Sequence, residues 1–471
     1  MILSYRISLT GLLCFSLWLS GCSYKCIDEC SSLPSPSLPH GVTSDEEIIS
    51  EPEIESVPID PLPEYVPLSG PIRLEGRAFA DDDGVQASWG ITMFWALWAA
   101  HEDPIKLETA LDWLSSWDVD YVRVLSMVGS QPYWEGRVID PQWPDYDETL
   151  ETLFSVCRSR GIRVQMTIFA DAQVMMPNHS DRREWLYEMA ERLNPYRDVI
   201  QFVEIANESQ LNGIDDDDLA DLTRRWAQVS DILIAPSSPD GGGAEVALNI
   251  LFSENEVNAD LLTPHFDRRI NTIETVYRPH RQPWEAQFYD YPLPFVNNEP
   301  IGPGSSGNTD SDPARLAIGM AVTFISGGAG HVLHSHAGVR GDQSYEDSIS
   351  EGIMRAMQSV RGLLPNGIAN GQRCNHHWSC HPYETNDQIW PDTHEDGVVR
   401  SYSSTLDEIT YVAVMGMRDT YTVTAKWPMT ISVFDVRNGN QLESVDLDTD
   451  ETFIFRQHGT LRDYVHRVIR R

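Results

Sequence analysis

From about residue 71 to 365 the chain alternates short apolar runs with longer amphipathic stretches. Apolar runs of strand length separated by amphipathic stretches of helix length are the pattern of βα units that share a parallel sheet. Eight runs predict strands over residues 90–99, 120–127, 162–169, 199–206, 232–236, 261–265, 294–298 and 330–334. The stretches 106–117, 146–160, 181–193, 215–230, 314–325 and 346–364 predict helices between them. Asp181 is placed to cap its helix ahead of Glu184. The run Asp215 to Asp218 has the look of a metal loop, but acidic residues at a helix start also meet the positive end of the macrodipole. Eight units in roughly 290 residues fit a (β/α)8 TIM barrel, so the predicted fold class is α/β.

After about residue 380 the spacing shortens. Residues 398–402, 409–415, 420–425, 430–435, 442–446 and 451–455 alternate polar and apolar positions, and Asn438-Gly439 is a hairpin signal. These predict a small C-terminal antiparallel β-sandwich. Residues 71–375 are therefore assigned to the barrel and 376–471 to the β domain.

The N-terminal residues have a different character. One positive charge, Arg6, precedes the apolar run 9–19, which is too short to cross a bilayer comfortably. Leu19-Ser20-Gly21-Cys22 follows it and resembles a bacterial lipobox. That resemblance implies removal of residues 1–21, lipidation of Cys22, export, and a membrane anchor. Ser23, in place of Asp, implies the outer membrane if the cell is Gram-negative. Residues 44–64 hold eight acidic residues and no basic one, and Ser and Pro crowd the segment before them. Residues 22–70 are thus expected to form a disordered tether.

Composition narrows the partners. Hydrophobic residues make up 41% of the chain, which affords a sizeable core, and the formal net charge is -37. So much negative charge argues against nucleic acid and suits a neutral ligand. Cys374 and Cys380 close a short loop that reads as a disulfide in an oxidising compartment. His376, His377 and His381 beside them leave zinc as the alternative. Cys157 falls on a predicted helix and reads as a core residue.

Chemistry in such a barrel sits at the C-terminal ends of the strands. Those ends carry Arg123, Asn207-Glu208, His265, Glu299, and the pair His334 and His336. Glu208 and Glu299 end the fourth and seventh strands, positions that face each other across an eight-strand mouth. One glutamate alone would read as a salt-bridge partner, and Arg123 can equally neutralise Glu204. His334 and His336 share one face if the strand continues, where they would contact a ligand, bind metal or pack.

With that spacing, the chain resembles clan A of the glycoside hydrolases, the retaining (β/α)8 glycosidases. The resemblance covers roughly residues 75–365. It implies that Asn207-Glu208 supplies the general acid/base and Glu299 the nucleophile, that Arg123 supports Glu299, and that His265 lies near the sugar. It also implies a carbohydrate substrate and calls for neither cofactor nor metal. Strand six carries Phe266 where many relatives place a supporting Tyr, and Tyr289 or Tyr291 are the candidates to replace it.

Two carboxyls suit acetal cleavage because one must hold a proton while the other stays ionised. Glu208 is expected to be the acid, Glu299 the anion, and Asn207 the donor to a 2-hydroxyl. Trp95 and Trp98 at the end of strand one, Trp134 and Trp143 in the next loop, Trp284 and Tyr289 before strand seven, and Trp378 and Trp390 near the β domain are candidate sugar platforms. The Gly-rich stretch 302–307 lacks the Lys-Ser/Thr ending of a phosphate loop. Two competing functions use the same scaffold: a non-catalytic glycan-binding lipoprotein, and a metal-dependent barrel hydrolase using the histidines.

Overall fold

The computed structural model describes residues 67–471 apart from 135, 237–256, 271–275, 287–292, 306–307, 376–379, 386–399 and 418–419. The described residues belong to one compact unit. Its centre is a parallel sheet of seven strands: β4 (Ser88–Thr92), β5 (Tyr121–Leu125), β6 (Arg163–Phe169), β7 (Ile200–Ala206), β8 (Ile234–Ala235), β9 (Phe295–Asn297) and β10 (Gly328–Leu333). The order is β8-β7-β6-β5-β4-β10-β9, so the first and last strands in sequence are neighbours. The sheet curls until its two edges meet. Residues 260–262 bridge the gap: Asp260 N donates to Ile234 O at 2.9 Å, and Val296 N donates to Leu262 O at 2.8 Å. The expected sixth strand is therefore a single parallel bridge, Leu262 to Phe295. Pro264 brings no N–H, so the ladder cannot run on to His265.

Helices lie between the strands close to the expected ranges. Asp215 caps Asp216–Val229 by accepting from Asp218 N, so this acidic run is a helix start. The first strand departs from expectation. It stops at Thr92, and a helix, Ala96–Glu102, follows at once. The continuous apolar run 90–99 hid that break, because a buried strand and a buried helix look alike in composition.

Alternation fixes what fills the barrel. Tyr121, Phe202, Val296, Ala329 and Val332 form the lower core together with Phe79. Phe79 belongs to an unanticipated antiparallel sheet, β1 (Arg73–Glu75), β2 (Ala78–Asp81) and β3 (Gly84–Gln86). An added Cβ at Gly90 would lie 2.4 Å from the Tyr121 ring, so glycine there admits the tyrosine. Two residues further along the strands the interior turns polar.

The C-terminal part contains two antiparallel sheets. One has the order β11-β13-β14-β19-β16-β17, from β11 (Gln372–Asn375), β13 (Arg400–Leu406), β14 (Ile409–Met415), β16 (Met429–Asp435), β17 (Gln441–Leu447) and β19 (Tyr464–Arg470). The other is β12 (Tyr383–Thr385), β15 (Thr420–Ala425) and β18 (Thr452–Arg456). Tyr383 and His466 join the sheets, with 3.0 Å between hydroxyl and Nδ1. The first sheet begins at Gln372, four residues before the expected boundary at 376. Cys374 and Cys380 are joined by a disulfide with Cα atoms 5.9 Å apart, so neither sulfur is a thiolate for zinc. The helix Pro313–Ile325 packs on both Glu351–Leu363 and β14. It is buried on all sides from Leu316 to Ile325, which explains its uniformly apolar sequence.

Candidate active site

The polar layer of the barrel is one buried network. Arg123 on β5 extends its guanidinium between two acids. Nη1 lies 2.5 Å from Glu299 Oε1, and Nη2 lies 2.9 Å from Glu204 Oε2. Nη2 also donates to Asn207 Oδ1 at 2.8 Å. Glu204 accepts further bonds from Thr167 Oγ1 at 2.7 Å and Asn298 Nδ2 at 2.9 Å, and Gln165 Nε2 donates to Asn298 Oδ1 at 2.7 Å. Arg123 thus pairs with Glu204 and Glu299 at once. Because Arg only donates, the Asn207 atom it meets must be the carbonyl, and the amide NH2 is what Asn207 has left to offer a ligand.

Above this layer stand the two strand-end glutamates. Backbone strain marks Glu208: its φ is 42°, in the left-handed region a non-glycine residue seldom adopts. The turn is held by Leu211 N donating to Glu208 O at 2.9 Å and by Asn212 Nδ2 donating to Asn207 O at 2.6 Å. His265 lies between the acids, with Nδ1 3.2 Å from Glu208 Oε1 and 3.5 Å from Glu299 Oε2. Arg268 Nη2 approaches Glu299 Oε2 at 3.4 Å. Burial raises the Glu299 carboxyl, but His265, Arg123 and Arg268 together hold it well below the ordinary carboxylate range. Burial pushes His334 down to about 3, so it stays neutral, with Nδ1 2.9 Å from Thr92 Oγ1.

Ligand atoms of Glu208, His265 and Glu299 lie within 4.8 Å of one another, a spacing that a metal ion would also accept. The charges disfavour one. Arg123 and Arg268 already crowd Glu299, and a divalent cation would be a third positive charge there.

A cavity of about 220 Å³ opens over this floor. Glu208, Glu299, Asn207, Arg268 and His334 line its base; Phe94, Tyr133 and Trp134 form an aromatic wall. Asp171 binds that wall by accepting from Trp134 Nε1 at 2.7 Å and Gly129 N at 2.9 Å. A larger hollow, about 410 Å³, touches Asp81, Asp120, Arg163 and Arg361 at the opposite ends of the strands. Its charges pair among themselves, Arg163 with Asp81 at 2.8 Å and Arg361 with Asp120 at 2.7 Å. The carboxylate cavity is smaller but carries the two strand-end glutamates.

Several anticipated residues lie elsewhere. Trp95 is a core residue whose Nε1 donates to Ala337 O at 2.8 Å. Trp98, on the helix Ala96–Glu102, lies 5.5 Å from the Arg137 guanidinium. Both moved because strand one ends early. Trp143 stacks on His101, and Trp284 packs at a tilt against Tyr402, away from the cavity. His336 leaves the strand direction because Ser335 caps a short helix, His336–Arg340, and its Nε2 sits 3.2 Å from Asp342. Tyr289, Tyr291, Trp378, Trp390, Cys22, His376 and His377 lie outside the described residues. Sequence reasoning missed Arg268, Asp171 and Phe94. Only Asp171, at the end of strand three, carried a positional signal.

No family model and no curated protein sequence matches this chain. Solved structures do. A glycoside hydrolase matches with a TM-score of 0.60 at 11% identity, covering 85% of this chain and 97% of its own. A glycoside hydrolase family 5 protein from Bacteroides vulgatus ATCC 8482 matches with a TM-score of 0.60 at 13% identity, covering 85% and 93%. At such identities the likeness establishes the fold, an α/β barrel followed by β-sheets.

Proposed function

We propose that this protein is a retaining glycoside hydrolase acting on a poly- or oligosaccharide, with Glu208 as acid/base and Glu299 as nucleophile. The observation that carries the reading is the pair itself: two carboxylates on opposite strands, with oxygens within 4.8 Å, at the floor of an aromatic-walled cavity. That spacing supports double displacement, at roughly 5–5.5 Å, over inversion, at about 6.5–9.5 Å. Glu299, held ionised by Arg123 and His265, attacks the anomeric carbon as Glu208 protonates the departing oxygen. Glu208 then deprotonates the water that releases the sugar. Asn207 offers its NH2 to a hydroxyl next to the reacting carbon. Activity on a panel of aryl glycosides and plant or algal polysaccharides tests the reading. Glu208→Gln and Glu299→Gln should each cost about 10²–10⁴-fold in kcat, and full activity in either variant refutes it.

The same proposal places the protein outside the cytoplasm. Residues 1–21 act as the signal, Cys22 carries lipid at the bacterial membrane (the outer one if the cell is Gram-negative), residues 22–70 are the tether, and the two C-terminal sheets make a β-sandwich. The Cys374–Cys380 disulfide supports an oxidising compartment. Detergent-phase partitioning tests it: the mature wild type should enter the detergent phase and Cys22→Ser the aqueous one.

A further inference from the structure

Among the described residues that line the cavity, Arg268 is the permanent cation at the nucleophile, and its charge is incompletely used. Nη2 makes a long contact, 3.4 Å, with Glu299 Oε2. Nη1 is buried and has no hydrogen-bond partner among the described residues. A buried donor left unpaired is costly, so such a group persists where something else completes it. The acids that line the same cavity have other partners: Glu208 Oε1 faces His265 Nδ1 at 3.2 Å. Glu299 Oε1 is taken by Arg123, and Asp171 accepts from Trp134, Gly129 and Gln131.

The chemistry proposed for the site sharpens the point. Positive charge develops on the sugar carbon facing Glu299. The guanidinium of Arg268, 3.4 Å from that carboxylate, draws on the same negative charge that must stabilise the sugar, and a second anion at Nη1 relieves that competition. Arg268 and Glu299 line the same cavity, so a ring held at Glu299 brings its substituents alongside the Arg268 guanidinium. We infer that the sugar bound against Glu299 carries an anionic group, a carboxylate or a sulfate, that takes the open Nη1 of Arg268. The fork of Arg suits either oxyanion. The chain's overall charge of -37 repels a free anion at long range, so this contact acts locally, and added salt should speed capture.

The inference rests on the retaining mechanism, and one experiment separates the two. Covalent epoxide probes of glucose, mannose and galactose configuration, each neutral, with a 6-carboxylate and with a 6-sulfate, are reacted with the full-length protein, and attachment to Glu299 is read by peptide mass spectrometry. In the configuration that labels, one anionic form should react at least about tenfold faster than the neutral form. Whichever anion leads identifies the group. Arg268→Gln should bring that ratio close to one, and Arg268→Lys should restore part of it. A neutral probe that labels as fast as both anionic forms, or a ratio unchanged in Arg268→Gln, overturns the inference while leaving the mechanism standing. No label on Glu299 from any probe overturns the mechanism beneath it.

Discussion

Arg123 Nη1 lies 2.5 Å from Glu299 Oε1, and both groups are buried. The same guanidinium also holds Glu204, so it is the keystone of two carboxylates in a low-dielectric floor. Removing one partner of a buried ion pair leaves an uncompensated charge, so Arg123→Ala should lose about 3–5 kcal/mol in chemical unfolding. The pH profile gives a second readout. Arg123 helps to depress the Glu299 carboxyl, so without it that carboxyl titrates higher. The acid limb of kcat/KM should move to higher pH in Arg123→Lys, which cannot reach both acids. A limb that stays in place argues that Arg123 serves stability alone.

Trp95 and Trp134 separate core from site. Trp95→Ala removes a buried ring and its bond to Ala337, and should cost about 3–5 kcal/mol of stability with little change in KM. Trp134→Ala strips the cavity wall and should raise KM about tenfold with a small loss of stability. Thermal unfolding and steady-state kinetics on both variants check the contrast. The reverse result would return Trp95 to the site.

Asp463 predicts a pH effect remote from catalysis. It is buried, accepts from Gly416 N at 3.0 Å and the Tyr277 hydroxyl at 3.1 Å, and is pushed up to about 7 by burial. Its folded value exceeds the unfolded one, so the folded state holds the extra proton. Its stabilisation is complete below about pH 4 and is lost as pH rises towards 7. Asp463→Asn, which stays neutral, should gain on the wild type by about 1.4 kcal/mol per pH unit across that window and run parallel to it above pH 7. Denaturant melts at several pH values measure this, and a constant difference would show that Asp463 ionises normally.

The parallel strands were legible because both faces of a barrel strand are buried. Residues 163–169 and 200–206 are buried throughout, and most of their positions are apolar. Glu208 and Glu299 were legible because a strand end is a fixed address in this fold. The misplacements share one cause: local turns that composition does not encode. Thr92 ends a strand inside an unbroken apolar run, which carried Trp95 and Trp98 away from the cavity. Ser335 caps a helix two residues after the strand was expected to continue, which separated His336 from His334. Arg268 was invisible for another reason. In Asp267-Arg268-Arg269 either arginine is an equal candidate by sequence, and only the fold sends Arg269 to Asp267 and Arg268 to Glu299.

The central claim is that Glu299 attacks and Glu208 donates the proton, and azide rescue tests it most directly. Glu208→Ala and Glu299→Ala are each supplied with azide and an aryl glycoside that the wild type hydrolyses, and the anomeric configuration of the product is read by NMR. In Glu208→Ala the covalent intermediate still forms, so azide should yield a glycosyl azide of retained configuration. In Glu299→Ala azide should fill the vacated space and attack from the nucleophile's side, giving the inverted product. The exchanged pattern, or no azide product from either variant, would contradict the assignment.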